Sequence, residues 1–360
     1  MSKVHVIAFV IAAALATGCC KENTSEKPTE LSGTTGLANP GNDKALVELT
    51  KPVLTCKWAS YGFDSSCAAF KTWNESPRFK NGAGDATLVN YLDDTEEKVR
   101  FLGARMLSQK GSTYRKDKAL ATRVVGAAEK EASKVVASPM GRAVGNIDLA
   151  SVGLIPQVQK MIESHSNADM REALASGTLF ANREAPGVYD LFVKLARTDK
   201  DPKVRKAAAA AFWTGTPNGK HDEVCRLWLE LAGDKDGDLA GHSAYHCAFT
   251  SLDGGCTGQW DALLSLIERQ AKNGTVKSSF TASALRYFYD QKKATSAQKK
   301  RAIAIAKQLV ENTGNDGSAR GTALDFVAKQ DPGGKAYATR FENDKEFFVK
   351  NAAKRIKEGK

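Results

Sequence analysis

Apolar residues along most of this chain recur with the 3.6-residue period of an α-helix. The clearest unit has a first stripe at Leu191, Phe192 and Leu195, a polar turn over residues 197–201, and then a second stripe. Asp201 followed by Pro202 is typical of a helix N-cap and a first helical residue. The second stripe lies on one helical face and comprises Val204, Ala207, Ala208, Ala211 and Phe212. This unit is therefore predicted to be two helices joined by a short turn.

A second unit over residues 88–107 has the same order. Apolar residues from Leu88 to Leu92 precede a polar turn, and an apolar stripe that begins at Val99 follows it. Asp94 and Glu97 have the spacing of a capping box, which predicts a helix start there. Strand signals are nearly absent, since no sustained alternation of polar and apolar residues occurs. The pattern therefore predicts an all-α fold.

The turn and the start of the second helix are alike in the two units. Residues 92–100 and 195–205 each give an apolar end to the first helix, Asp in the turn and Val-Arg early in the second helix. In this order they resemble HEAT repeats, and weaker copies occur near Gly141-Arg142, Met170-Arg171, Gly241-His242, Ser283, Ala319-Arg320 and Ala352. The resemblance implies an α-solenoid of about eight HEAT-like helix pairs over residues 44–358, because one pair cannot bury its apolar face alone. A compact, irregular helical domain is the alternative.

The first 18 residues follow another pattern. A basic start at Met1 to Lys3 precedes an almost wholly apolar run from Val4 to Ala16. This run is shorter than the roughly 20 residues of a membrane span and is typical of a signal peptide. The run 15–19, LATGC, resembles the lipobox of bacterial lipoproteins, although Ala16 stands where Leu is preferred. The resemblance implies that Cys19 is lipidated and becomes the first mature residue; ordinary cleavage after Ala16 is the alternative.

Residues 19–43 contain few large apolar side chains. They are predicted to form a lipid anchor and flexible tether, because they cannot bury enough surface to offset the entropy of ordering. The resemblance to lipoproteins implies a lipid-anchored protein of the bacterial cell envelope. Cys20, rather than Asp, follows the anchor, as in lipoproteins sorted onward, so the periplasmic face of the outer membrane is expected.

The chain is basic, with a formal net charge of +11. A basic surface favours anionic partners, such as acidic polysaccharides or lipid headgroups. Its lysines and arginines are interleaved with acids, and the densest runs lie at 299–301 and 345–360. Solvated helix faces are the favoured interpretation of these runs. Nucleic acid is not expected as a partner outside the cytoplasm.

Export places the cysteines where disulfides persist. Cys56 and Cys67 lie symmetrically about Tyr61-Gly62, a predicted turn. A disulfide between them is expected to pin the first helix pair, and a closed loop of this size stabilises by roughly 3 kcal/mol.

A second cysteine group has the same symmetry. Cys225 and Cys247 are centred on Asp236-Gly237, and Cys256 follows on the connection to the next pair. If residues 222–232 and 239–250 are antiparallel helices, all three thiols lie at one end. Cys247 is therefore expected to pair with either Cys225 or Cys256, which leaves one thiol over.

The same stretch contains the one candidate chemical site. His242 and His246 have i, i+4 spacing on one helix face, Cys247 is adjacent, and His221 lies one turn before Cys225. Histidine and cysteine are the usual zinc ligands. The glutamate of a His-Glu-x-x-His motif is missing, however, and oxidation competes with metal capture in an exported protein. Disulfides with ordinary histidines are the favoured interpretation, and no cofactor is expected.

No serine-hydrolase elbow or phosphate-binding glycine loop occurs. The five tryptophans are assigned to the core rather than to a groove, because aromatic residues at helical spacing are more often buried. The sequence therefore predicts an envelope-anchored protein that binds or scaffolds another envelope protein without catalysis. A metal-binding protein or metal-dependent enzyme centred on His242, His246 and Cys247 is one alternative. A binder of anionic envelope polymers or lipids is another.

Overall fold

The computed structural model describes residues 36–111, 113–182, 184–249 and 255–359. Cys19 and the signal peptide lie outside these residues. The described part is mostly helical, which confirms the all-α class. Its α-helices are α1 Lys44–Thr50, α2 Ala68–Asn74, α3 Asp85–Tyr91, α4 Glu97–Gln109, α5 Lys118–Lys130, α6 Lys134–Gly145, α7 Leu149–Val152, α8 Ile155–Ser164, α9 Ala168–Asn182, α10 Val188–Thr198, α11 Pro202–Ala211, α12 His221–Leu231, α13 Gly237–Ala248, α14 Trp260–Asn273, α15 Ser279–Asp290, α16 Ser296–Glu311, α17 Gly317–Gln330, α18 Gly334–Thr339 and α19 Phe347–Lys357.

Short elements complete the described part. Two antiparallel strands, β1 (Trp58–Ala59) and β2 (Gly62–Phe63), form a small hairpin. The 3₁₀ turns are Lys51–Thr55, Pro77–Gly82, Thr113–Arg115, Phe212–Thr214 and Thr257–Gln259.

Helices in the described part contact one another in a regular order. The helices α4, α6, α9, α11, α13, α15, α17 and α19 each contact the next member of this series, which we call the second-helix series. The helix just before a member commonly packs against it, as α3 does on α4, α10 on α11, α12 on α13 and α16 on α17. A continuous core of buried apolar residues runs from Leu37 to Ala353.

The predicted boundary at the clearest unit is confirmed. Helix α11 begins at Pro202, and the carboxylate of Asp201 accepts a hydrogen bond from the Lys203 amide. The buried residues of α10 and α11 include Leu191, Leu195 and Val204 of the predicted stripes.

The capping box predicted at Asp94 and Glu97 is wrong. Helix α4 begins at Glu97, and Glu96 is its N-cap. The Asp94 side chain is buried and accepts hydrogen bonds from the backbone amides of Leu37 at 2.9 Å and Glu96 at 2.8 Å. Its carboxylate therefore holds an earlier segment of the chain in place of capping the helix.

Residues 36–43, assigned from the sequence to the tether, belong to this folded part. Leu37 is buried, and the Asn42 side chain accepts a hydrogen bond from Asn90 at 2.7 Å. The predicted domain start at residue 44 is thus several residues late. The polar composition of the segment hid its contacts, because they are made mainly by hydrogen bonds.

The Cys56–Cys67 disulfide is present, but it closes the β-hairpin and not a helix pair. Gly62 has a φ of +109° in the turn, a backbone conformation that glycine adopts readily. A Cβ at this position would lie 2.5 Å from the Phe101 ring, so α4 also requires glycine there. Two-residue strands are too short to show alternation, which is why the sequence predicted the turn alone.

Arginines link successive helix pairs in a repeated way. Each lies at the fourth residue of its helix and bonds an acidic side chain just before the next second helix: Arg100 with Glu131, Arg171 with Asp199, Arg205 with Asp234, and Arg320 with Asp344. We call these four contacts the arginine bridges. The Arg171 side chain is 3% exposed and its Asp199 partner 6%. Removing one partner of such a buried ion pair strongly destabilises the folded protein, because the other charge is left buried and unpaired.

Candidate functional site

Helices α12 and α13 position the predicted histidines and cysteines. Asp236 caps α13 by accepting a hydrogen bond from the Leu239 amide at 2.9 Å. The two helices pack against each other, as the symmetry of Cys225 and Cys247 predicted. This packing places the Trp228 ring of α12 5.4 Å from the His246 ring of α13.

The predicted pairing of Cys247 is wrong. Cys225 is bonded to Cys256, and Cys247 is a buried free thiol. The 3₁₀ turn that follows Cys256 contacts α12. Cys247 is fully enclosed by the core, and burial raises the pKa of its thiol to about 12. It therefore stays a protonated thiol at neutral pH.

His246 is buried, and neither ring nitrogen has a hydrogen-bond partner among the described residues. Its ring lies against Trp213 at 4.7 Å between centroids. Burial, and to a lesser degree the neighbouring His242, lowers the pKa of His246 to about 3. The imidazole is consequently neutral near pH 7. Within the described part of the chain, the buried Ser243 hydroxyl on the same helix also has no hydrogen-bond partner.

His242 is stacked on Phe280, with ring centroids 3.8 Å apart. Burial lowers the pKa of His242 even though its Nε2 lies 3.5 Å from the Asp238 carboxylate. The His242 and His246 ring centroids are 6.3 Å apart. Among the described residues, no group of three or more His, Cys, Asp or Glu side chains is arranged to hold a metal ion.

Five aromatic rings lie beside these histidines on the second-helix series. They come from the turn after α11 and from α13 and α15, and Phe249 directly follows α13: Trp213, Tyr245, Phe249, Phe280 and Tyr287. We call them the aromatic patch. Tyr245 is at the centre, 5.6 Å from Trp213, 5.8 Å from Phe280 and 5.0 Å from Tyr287 between ring centroids. Phe280 is 37% exposed, and the other four are half-buried.

Polar and charged groups border the aromatic patch. The Arg286 guanidinium lies 5.8 Å from the centre of the Tyr287 ring. Burial, with a hydrogen bond to Tyr287, raises the pKa of Tyr245 to about 12, so its phenol is neutral. Tyrosine, tryptophan and arginine are the residues that carry most of the binding energy at protein interfaces. The arrangement is therefore suited to recognition by contact.

The tryptophan prediction holds for part of its set. Trp73, Trp228 and Trp260 are buried in the core. Trp58 and Trp213 are only half-buried. The position of Trp213 could have been inferred from its place just after α11, because Phe249 lies just after α13 in the same way. Inspection of single residues in the sequence does not show that Trp213 and Phe249 are neighbours in the fold.

No known family model matches the chain, and no characterised protein is significantly similar to it. Within the described ranges, no helix is both long and apolar enough to cross a membrane.

Proposed function

We propose that this chain is a lipid-anchored protein of the bacterial envelope that binds another protein through the aromatic patch and catalyses no reaction. The observation that carries this proposal is the patch itself. Its rings come from the turn after α11, from α13 and the residue that follows it, and from α15; they remain half-exposed, with Phe280 the most accessible. Such a cluster, bordered by Arg286, has the composition of an interface centre.

The helix pairs are proposed to stack as a HEAT-like α-solenoid over residues 44–358. The ordered contacts of the second-helix series support this arrangement. The arginine bridges support it as well, because each joins one pair to the turn of the next. Stacked pairs present an extended surface to which successive helices contribute, and the aromatic patch is built in this way.

Binding through the patch is tested by photo-crosslinking in cells. A photoreactive residue replaces Phe280 in the full-length chain, and the crosslinked products are compared with and without Tyr245→Ser. We expect one dominant protein adduct that Tyr245→Ser abolishes. Tyr61→Ser is the matched control, because Tyr61 is 79% exposed and lies on the β-hairpin, away from the patch. An adduct that survives Tyr245→Ser, or the absence of a protein adduct, contradicts the proposal.

The lipid anchor is tested independently with Cys19→Ala. Loss of the acyl chains should release the protein from the membrane fraction, since the anchor is proposed to be its main attachment. Unchanged membrane attachment of Cys19→Ala would show that the lipoprotein assignment is wrong, without bearing on the patch.

A metal-binding function is the second candidate, and one observation favours it. Both ring nitrogens of His246 are buried and without a partner among the described residues. Elemental analysis of the full-length chain, purified without a polyhistidine tag, decides between the candidates. We expect substoichiometric metal; one ion per chain that His246→Gln removes would establish the second candidate.

A further inference from the structure

Helix α16 is covered on one side by the helix of the preceding pair. The Gln298 side chain donates a hydrogen bond to Asp261 of α14 at 2.9 Å. One turn further on, Arg301 bonds Glu268 of the same helix at 2.9 Å. This side of α16 is therefore occupied by α14.

The other side of α16 has a much shorter neighbour. Helix α16 has 16 residues, whereas α18 has six. Contacts from α18 and its C-cap lie at the last turns of α16, where the Tyr337 hydroxyl donates to the Lys307 carbonyl and Arg340 lies 3.6 Å from Glu311. In the earlier turns of α16, Ser296, Lys300 and Ala304 are exposed, so these turns are uncovered on this side.

A groove of about 650 Å³ lies along these uncovered turns. Its α16 wall consists of residues at i, i+3, i+4, i+7, i+8 and i+11 of one helical face: Ser296, Lys299, Lys300, Ile303, Ala304 and Lys307. Tyr289 and Pro332 are among the residues that complete the lining. Eleven residues of helix correspond to a length of roughly 17 Å, or about three turns.

The chemistry of the groove combines an apolar floor with positive charge. Ile303, Tyr289 and Pro332 supply apolar surface, and three lysines flank it, of which Lys299 has its ammonium 5.3 Å from the centre of the Tyr289 ring. The one acidic lining residue, Asp331, is already paired with Lys307 at 2.8 Å. Lys300 is exposed and has no ion-pair partner among the described residues.

We propose that this groove receives an amphipathic α-helix of a partner protein, with an apolar stripe flanked by aspartate or glutamate. The helix would lie where a longer α18 would have packed. An apolar stripe suits the floor, and acidic flanks complement the lysines, as in other helix-in-groove complexes. An acidic polysaccharide or a lipid headgroup would use the lysines but leave the apolar floor unused. This second surface lies outside the aromatic patch and does not depend on it.

Selection from a displayed library of helical 15-residue peptides, with the full-length chain as bait, tests the proposal. We expect recovered peptides to carry apolar residues at i, i+3 or i+4 and i+7, flanked by acids. Lys300→Glu and Ile303→Asp should each weaken their binding about tenfold or more, which corresponds to roughly 1.4 kcal/mol. Lys335→Glu is the matched control, because Lys335 is an exposed lysine of α18 outside the groove lining. Thermal unfolding verifies that each variant is folded.

Three results would overturn the proposal. One is enrichment of peptides that bind the groove variants as well as the unchanged chain. Another is recovery of peptides without acidic flanks. The third is binding of dextran sulfate or of anionic vesicles that depends on Lys300 but not on Ile303, with no peptide recovered. None of these results bears on crosslinking at Phe280, so failure here is distinct from failure of the proposed function.

Discussion

The members of the second-helix series differ in the contacts that join them to their neighbours. At the fourth residue, α4, α9, α11 and α17 carry an arginine that bridges to the next turn. At the same position α6, α13 and α15 carry buried alanines, Ala137, Ala240 and Ala282. The α12–α15 region receives one arginine bridge, at Asp234, and also has the Cys225–Cys256 disulfide and four of the five rings of the aromatic patch.

This difference indicates which side chains of each region are available to contact a partner. An arginine bridge uses its polar groups internally, because buried charges must be paired. Burial alone would raise the pKa of Asp199, but hydrogen bonds from Arg171 and from the Asp201 amide outweigh it and lower that pKa. In the α12–α15 region a disulfide adds a covalent constraint to the single arginine bridge at Asp234, and aromatic rings remain half-exposed. We infer that the arginine bridges serve stability and the aromatic patch serves recognition.

The largest expected effect is on an arginine bridge. Arg171→Ala leaves the buried Asp199 carboxylate unpaired, so the free energy of unfolding should fall by about 3–5 kcal/mol. Urea titration followed by circular dichroism measures the change. The control is Arg197→Ala, because the Arg197–Glu230 pair is 46% and 50% exposed and should cost about 0–1 kcal/mol. Equal losses in the two variants would remove the distinction between bridges and surface pairs.

The next largest loss of stability is expected from removal of the Cys225–Cys256 disulfide. Cys225→Ser with Cys256→Ser opens a loop of 31 residues, which should cost about 3–4 kcal/mol. Urea titration under the same conditions gives the loss. Cys247→Ala is the control, and it should cost less because it removes a small side chain without a bond. Peptide mapping should also find Cys247 alkylated only after unfolding; a Cys247 disulfide in the native chain would contradict the pairing described above.

Features set by local sequence were predictable, and features set by tertiary packing were not. Pro202 after Asp201 fixed the start of α11, since both the cap and the restricted φ act within one turn. Asp94 failed as a cap because its carboxylate binds Leu37, which is distant in sequence.

The candidate site shows the same division. Helical spacing placed His242 and His246 on one face. It did not reveal that aromatic rings from other helices surround them, with Phe280 against His242 and Trp213 against His246. Cys247 was misassigned for a related reason, because symmetry along the chain did not show which thiol the returning connection meets. The groove beside α16 depends on the length of α18, which the sequence pattern did not define.

A third prediction separates the regions by pH. The folded pKa of His246, about 3, lies below its ordinary value of 6.5, so the unfolded chain takes up this proton first as the pH falls. Stability is full above pH 6.5 and decreases toward pH 3, by about 1.4 kcal/mol per pH unit. Between pH 7 and pH 5 the loss should be about 2 kcal/mol. His246→Phe should remove most of this loss in urea titrations at the two pH values.

Arginine bridges should lose stability only at lower pH. The pKa values of Asp199 and Asp344 are lowered, because their bonds to arginine and to backbone amides outweigh burial. Their contribution is present above the ordinary carboxyl pKa and is lost below it. The pKa of His242 is lowered as well, so a pH 7 to pH 5 loss that persists when His242→Phe is combined with His246→Phe would place the acid sensitivity outside the aromatic region.

The smallest expected effect on stability comes from the aromatic patch itself. Phe280→Ala removes a ring that is 37% exposed, so the free energy of unfolding should fall by about 1 kcal/mol. Phe288→Ala on the same helix is the matched control. Phe288 is 1% exposed and lies 5.0 Å from the Trp260 ring, and its loss should cost about 3–5 kcal/mol. If Phe280→Ala costs as much as Phe288→Ala, the patch is part of the core, and the proposed recognition role loses its basis. A small cost, with loss of the Tyr245-dependent crosslink, would show that these rings are retained for a partner.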